Sequence, residues 1–362
     1  MRPKLLIPIL SLVVVVASAV MIPCLAPAGE TSATSSYKVL EPIRHGNLAV
    51  FPVVAAVSHD TQGFLTLDDG LRSGEVVVSE SGSLAPLIRP RRDGIHPTPG
   101  PQVNQLVLVN NSKRPLILLA GEIVTGGKQD RVIGKDRLVP AESDPIDLGV
   151  FCVEPGRWTG PKISFNTVDA PMAAPGLRAK AMVDKDQQQV WSEVRNAQAG
   201  IVAKLSAPAA AEVNGTSSYA TVMQNAEVKE NVDKVAAPIQ HDYQSLIHQL
   251  RDRHAVGVVV AVNGSIIWVD IFASTSLLEK YWPKLVRSYA AEAFVSRAKY
   301  QEPDVKSAEK FLDEFEGRRE TVETEPGLYR HTEINGDGFK AFELTSLLPK
   351  TGFDLHVAKM AE

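Results

Sequence analysis

Hydrophobic residues fall in short runs or alternate with polar ones through roughly the first 160 positions, then recur near every third or fourth position through much of the remainder. The first pattern suits strands and the second amphipathic helices, so the chain predicts a β half followed by a helical one. The run LAVFPVVAAV, residues 48–57, predicts a strand in which Pro52, lacking an N–H, points to an edge position or a bulge. Residues 64–71 carry the turn signal Asp68-Asp69-Gly70, and 75–80 alternate valines into another strand. Four prolines and two glycines within 89–101 predict an irregular loop. Residues 103–109 and 115–120 read as strands joined by a polar hairpin turn at Asn110-Asn111-Ser112-Lys113, and 146–153 as a further strand.

From Asp184 to Leu205 the spacing of Val190, Trp191, Val194, Ile201 and Leu205 predicts an amphipathic helix. Residues 206–216 read as a connection, followed by a helix from Ser218 to about Val235, a break at Pro238, and a third helix carrying Tyr243, Leu246, Ile247 and Leu250. Asn263-Gly264 between two apolar runs is the clearest local signal, a type I′ hairpin whose central residues both need positive φ. Ser276-x-x-Glu279 reads as a capping box, with Pro283 kinking the helix or opening a second segment. A short helix with Phe311, Leu312 and Phe315 then precedes a hairpin closed by residues 335–338.

These elements predict an α+β fold: a mostly antiparallel N-terminal β half, to about residue 158, packed against a helical half containing β-hairpins. The predicted domain spans 37–300, with 301–362 as a C-terminal extension of helix and hairpin. No internal repeat interrupts this scheme.

The first residues alter the picture. Arg2 and Lys4 precede an apolar run over 5–25, and Ala26-Pro27-Ala28 supplies a small-x-small cleavage pattern, so residues 1–28 predict a secretory signal and 29–36 a polar tether. The chain is therefore expected to be exported, to a periplasm or the extracellular space; membrane anchoring by residues 5–25 is the alternative. Loss of Cys24 with the signal leaves Cys152 as the lone cysteine, without an internal disulfide. A composition of 44% hydrophobic and 22% charged residues fits a packed core, and a net charge of -4 gives no basic field for nucleic acid.

Candidate chemistry concentrates in residues 121–158. Glu122, Gln129, Arg131, Glu154 and Arg157, with Trp158, form a candidate polar site, since Arg forks match carboxylate or phosphate while Glu and Gln order the other side of a ligand. Mutual pairing of these groups is the competing structural reading. Gly126-Gly127-Lys128 lacks the spacing of a phosphate loop and reads as a tight turn, and Cys152, flanked by Phe151 and Val153, as a buried thiol. His241 and His248 read as a solvated helix face rather than metal ligands, and no metal site or cofactor is evident. Asp270 shares a strand face with Trp268 and Phe272, a secondary candidate for a binding carboxyl with a raised pKa or a turn cap. Tyr281-Trp282-Pro283-Lys284 with Arg287 offers either core packing or an aromatic and cationic ligand surface.

The segments GEIVTGGKQDRVI and VFCVEPGRW, followed by WVDIFAS and YWPKLVRSYAAEAF, resemble the ARPP-1 family, the ARG and rhodanese-phosphatase-superfamily-associated protein domain. The resemblance runs from about Leu48 to Phe294, and Glu122, Gln129, Arg131, Cys152, Glu154, Arg157 and Trp158 match the family's signature. Asp130 stands where the pattern favours Asn. The family implies no established activity, and an export signal argues against transferring the partners suggested by its name. The sequence thus points first to a non-catalytic binding or regulatory module for a small polar or anionic ligand. A hydrolase or transferase using Glu122 or Glu154 as general base and an Arg for charge stabilisation is the alternative. A purely structural envelope protein predicts no ligand cleft.

Overall fold

In a computed structural model the described residues are 37–81, 104–158, 164–250, 252–296 and 303–362. The signal-like segment, the tether and the proline-rich stretch at 89–101 lie outside them. Strands β1 (Lys38–Val39) and β2 (Ile43–His45) both pair antiparallel with β3 (Leu48–Ala55), which is buried throughout. β3 is therefore not an edge strand. Pro52 is tolerated because it falls where the neighbour on that side changes from β1, opposite Val53 and Val54, to β2, opposite Leu48 to Val50.

β4 (Leu65–Thr66) leads into α1 (Leu67–Ser73), so Asp68-Asp69-Gly70 forms helix rather than the expected turn. Thr66 caps it by accepting from the Asp69 amide, the two acids suit the positive first turn, and Gly70 is required because a Cβ there would sit 2.3 Å from Val76 Cγ2. After β5 (Val76–Glu80), β6 (Gln105–Asn110) and β7 (Leu116–Leu118) are not a hairpin: β6 pairs with β5, while β7 pairs with β4 in another sheet. The Asn110 side chain turns the chain away, its Nδ2 donating to the carbonyls of Arg114 (2.8 Å) and Pro140 (2.9 Å). Hairpin β8 (Ile123–Gly126) and β9 (Arg131–Ile133) follows, then β10 (Arg137–Val139), β11 (Ile146–Cys152) and β12 (Phe165–Asn166).

The central helices are α2 (Pro175–Ala179), continued by a π-helical turn over Lys180–Asp184, then α3 (Gln187–Val202), α4 (Ala207–Asn214), α5 (Tyr219–Gln224) and α6 (Ala226–Gln249). Two expectations change here. Residues 207–214, read as a connection, are helical, with a proline in the first turn where its missing N–H costs nothing. The helix break lies at Asn225, whose side chain accepts from the Glu227 and Val228 amides, and α6 runs unbroken through Pro238.

The predicted type I′ hairpin joins β13 (His254–Val262) to β14 (Ser265–Phe272), with Asn263 and Gly264 at φ 53° and 84°. α7 (Thr275–Val295) is one helix through Pro283, capped by Ser274 rather than Ser276. After α8 (Val305–Asp313), β15 (Gly317–Glu325), β16 (Tyr329–Gly336), β17 (Phe339–Ser346) and β18 (Asp354–Ala361) complete the chain.

The architecture is α+β, but the two halves interleave. One nine-stranded sheet runs β1-β3-β13-β14-β18-β17-β16-β15, with β2 beside β3, so strands from both ends of the chain share it. The segment after residue 300, set apart in the sequence reading, contributes four of its strands, and β18 lies directly against β14. A six-stranded sheet, β12-β8-β9-β11-β6-β5, and a three-stranded one, β10-β7-β4, complete the β structure. One face of the large sheet packs on α6 and α7 through Tyr243, Trp282 and Leu285, and the opposite face meets α8 through Ala308 and Leu312. Among the described residues no helix is long and apolar enough to cross a membrane.

Candidate functional site

The polar segment at 121–158 does not converge on one site. Hairpin β8–β9, whose turn uses Gly126 and Gly127 at φ 131° and 50°, sets Arg131 opposite Cys152 of β11. Four of the predicted residues gather there. Arg157 holds both Glu154 oxygens at 2.6 Å, the Gln129 amide donates to the Glu154 carbonyl at 3.0 Å, and Arg131 donates to the Gln129 carbonyl at 2.7 Å. Glu154 also accepts from the Asp130 amide at 3.1 Å, and Asp130 accepts from the Ser218 hydroxyl at 2.7 Å. Burial raises the Asp130 pKa and lowers that of Arg131, while the Glu154 hydrogen bonds raise that of Arg157. Trp158, 39% exposed, forms the outer edge, with Lys128 5.2 Å and Arg131 5.8 Å from its ring centroid. Cys152 is a buried free thiol, pushed up in pKa by burial.

Glu122 is elsewhere. It precedes β8 and forms an isolated bridge with Met172; its Oε2 accepts from the Leu119 amide at 2.8 Å, while its Oε1 has no hydrogen-bond partner. Burial, reinforced by the nearby Asp68 charge, pushes its pKa up to about 8, so it is a neutral acid at pH 7. With Glu122 enclosed and both Glu154 oxygens held by Arg157, neither presents a free carboxylate to a substrate.

Asp270 belongs to a second buried network that the sequence reading missed. Arg178 of α2 grips it bidentately at 2.9 and 3.0 Å, His356 of β18 contacts it at 3.1 Å, and the Tyr289 hydroxyl donates to it. His356 also contacts Asp136 at 2.6 Å, and Asp136 accepts from the Ala120 amide at 2.7 Å. Burial alone would raise the Asp270 pKa, but Arg178 and His356 outweigh it and hold the carboxyl below its ordinary range; the expected upward shift is reversed. His356 is likewise carried up to about 9, its two carboxylate neighbours outweighing burial. Two acids and two bases, each 0% exposed, thus neutralise one another as a staple of α2, α7, β14, β18 and the 120–136 segment. The only sequence pointer was Asp270 itself, an acid on an apolar face that demanded a buried counter-charge.

A cleft of about 770 Å³ lies among α1, the 166–171 loop, the start of α6 and the middle of α7. None of the six residues predicted between 122 and 158 lines it. Leu71, Val168, Met223, Val232 and Pro283 give it apolar walls. Four cations, Arg72, Lys229, Lys284 and Arg287, face it together with three acids, Asp68, Asp169 and Asp233. Lys284 is fixed on Asp68 at 2.6 Å and Arg287 on Asp233 at 2.7 Å, whereas Lys229 forms no ion pair among the described residues. The Tyr281–Arg287 segment therefore divides: Tyr281 and Trp282 pack in the core, while Pro283, Lys284 and Arg287 face the cleft.

A family profile described as the ARG and Rhodanese-Phosphatase-superfamily-associated Protein domain, ARPP-1, matches residues 36–358. The chain belongs to the ARPP-1 family. The match extends past Phe294 and takes in most of β18, so both the cleft and the Asp270–His356 network lie inside the ARPP-1 domain. No curated protein and no solved structure gives a comparable match. Among the described residues no group of three or more His, Cys, Asp or Glu is placed to hold a metal ion.

Proposed function

We propose that this ARPP-1 protein is an exported, non-catalytic binding module for a small polar or anionic ligand, and that the ligand is held in the cleft between α1, the 166–171 loop, α6 and α7. The observation that carries this reading is the cleft itself: about 770 Å³ of space, within the range of small-molecule sites, with apolar walls and a slight excess of cations. The ion pairs Lys284–Asp68 and Arg287–Asp233 fix two cationic groups in the wall, which favours binding by preorganisation, and Lys229 supplies a charge that is not already paired. A purely structural role gives no reason for such a cleft.

Thermal-shift screening of small organic acids, amino acids and phosphate esters tests the proposal, with Lys229→Glu as the control. A compound that stabilises the wild type and loses its effect in Lys229→Glu supports it. Absence of any compound whose stabilising effect is lost in Lys229→Glu counts against it.

A further inference from the structure

Arg131 carries a second inference, independent of the cleft. Its side chain is 0% exposed, yet its hydrogen bonds go only to backbone: Nη1 donates to the carbonyls of Gln129 at 2.7 Å and Asp130 at 3.5 Å. Nε and Nη2, both buried, have no hydrogen-bond partner among the described residues. These two nitrogens form the side-on edge of the guanidinium, whose parallel N–H bonds match a pair of oxygens on one carboxylate or phosphate. Buried polar groups are almost always satisfied, so an unmatched pair with this geometry points to a specific chemistry.

The nearby acids are otherwise engaged. Both oxygens of Glu154 are held by Arg157, and Asp130 accepts from the Gly126 amide at 3.1 Å and the Ser218 hydroxyl at 2.7 Å. Glu80 acts electrostatically on Arg131 without bonding to it; its Oε1 accepts from the Lys128 amide at 2.7 Å, while Oε2 is buried without a partner, as is Oε1 of Gln129. The same neighbourhood thus offers a two-pronged donor and two unsatisfied acceptors. A simple carboxylate answers only the donors.

We propose that the Arg131 edge, with Glu80 and Gln129, is a site for a small protonated oxyanion of the hydrogenphosphate class: two oxygens accept from Nε and Nη2, and the O–H donates to Glu80 or Gln129. The Trp158 ring lies 5.8 Å from the Arg131 guanidinium, at the outer edge of this neighbourhood.

Calorimetric titration of the intact protein with inorganic phosphate, sulfate and acetate, at matched chloride ionic strength, tests this. Phosphate is expected to bind saturably, and sulfate, which carries no proton at neutral pH, about tenfold more weakly or worse. Arg131→Lys keeps the charge but loses the fork, and phosphate affinity should fall about tenfold or more. Glu80→Gln leaves the fork intact and can donate to an unprotonated oxygen, so sulfate should come within a few-fold of phosphate. The Lys229→Glu cleft variant should bind phosphate as the wild type does. The proposal is overturned by absence of saturable phosphate binding, by equal affinity for sulfate in the wild type, or by unchanged discrimination in Glu80→Gln. Loss of phosphate binding in Lys229→Glu overturns it as well, since the anion is then in the cleft. The wild-type and Glu80→Gln titrations decide the matter even if Arg131→Lys fails to fold.

Discussion

Glu122→Gln gives the sharpest test of the electrostatics. In the fold this carboxyl is pushed up from 4.5 to about 8, chiefly by burial, with the Asp68 charge adding to the effect. Between those values the unfolded chain has released the proton that the fold retains, so wild-type stability is fully present below 4.5 and is lost as pH rises through about 8. The slope is about 1.4 kcal/mol per pH unit, or roughly 3 kcal/mol between about pH 5 and about pH 7.5. Glutamine mimics the neutral acid and can keep the bond from the Leu119 amide, but its NH2 enters a position where Oε1 has no partner. That cost, about 1–3 kcal/mol, does not depend on pH. The variant should therefore gain on the wild type as pH rises, whatever its offset. Urea unfolding of both proteins across the range measures the difference, which should grow by roughly 3 kcal/mol. A difference constant to within about 0.5 kcal/mol between pH 5 and pH 7.5 would refute the assignment of a neutral, buried Glu122.

Asp270→Asn leaves Arg178 and His356 facing one carboxylate in place of two, and should destabilise the fold by about 3–5 kcal/mol, read as a lower urea midpoint at unchanged slope. Because His356 is raised to about 9, its contribution is fully present below its ordinary 6.5 and lost as pH climbs through about 9; NMR titration of the ring should give an apparent value well above 6.5, falling in Asp270→Asn. Gly121→Ala should cost more than about 1 kcal/mol, because Gly121 has φ 94° and a new Cβ would lie 2.5 Å from Arg178 Cγ; calorimetric melting checks this. Lys359→Met should lower stability by about 2 kcal/mol or more, since its buried ammonium sits 3.9 Å from the Phe339 ring centroid and donates to the carbonyls of Phe311 and Glu314; chemical unfolding reads it directly.

What was legible in the chain was local. Asn263-Gly264 fixes its hairpin by backbone conformation alone, and the apolar spacing of α3 and α8 survives any tertiary context. Sheet order was not legible, because β18 inserts between β14 and β17, and pairings of that range leave no trace in a window of neighbouring residues. Short strands were hidden for a related reason: β8 and β9, of four and three residues, are too brief to show alternation inside a polar segment. Their pairing puts Arg131 on a buried strand face opposite Cys152, away from Glu122. Asp270 was singled out correctly as an acid on an apolar face, but its partners Arg178 and His356 lie 92 and 86 residues away. The cleft was half visible, in Pro283, Lys284 and Arg287, while the acids and apolar groups completing it come from three distant segments.

The central claim, that the cleft receives a ligand, is tested most directly by NMR of methionine methyl groups during titration with the best compound from the thermal-shift screen. Met223 lines the cleft, whereas Met360 is buried in the sheet core. The account predicts a saturable shift of the Met223 methyl with Met360 unmoved, and loss of that shift in Lys229→Glu. Binding that leaves Met223 unperturbed, or that persists unchanged in Lys229→Glu, contradicts it.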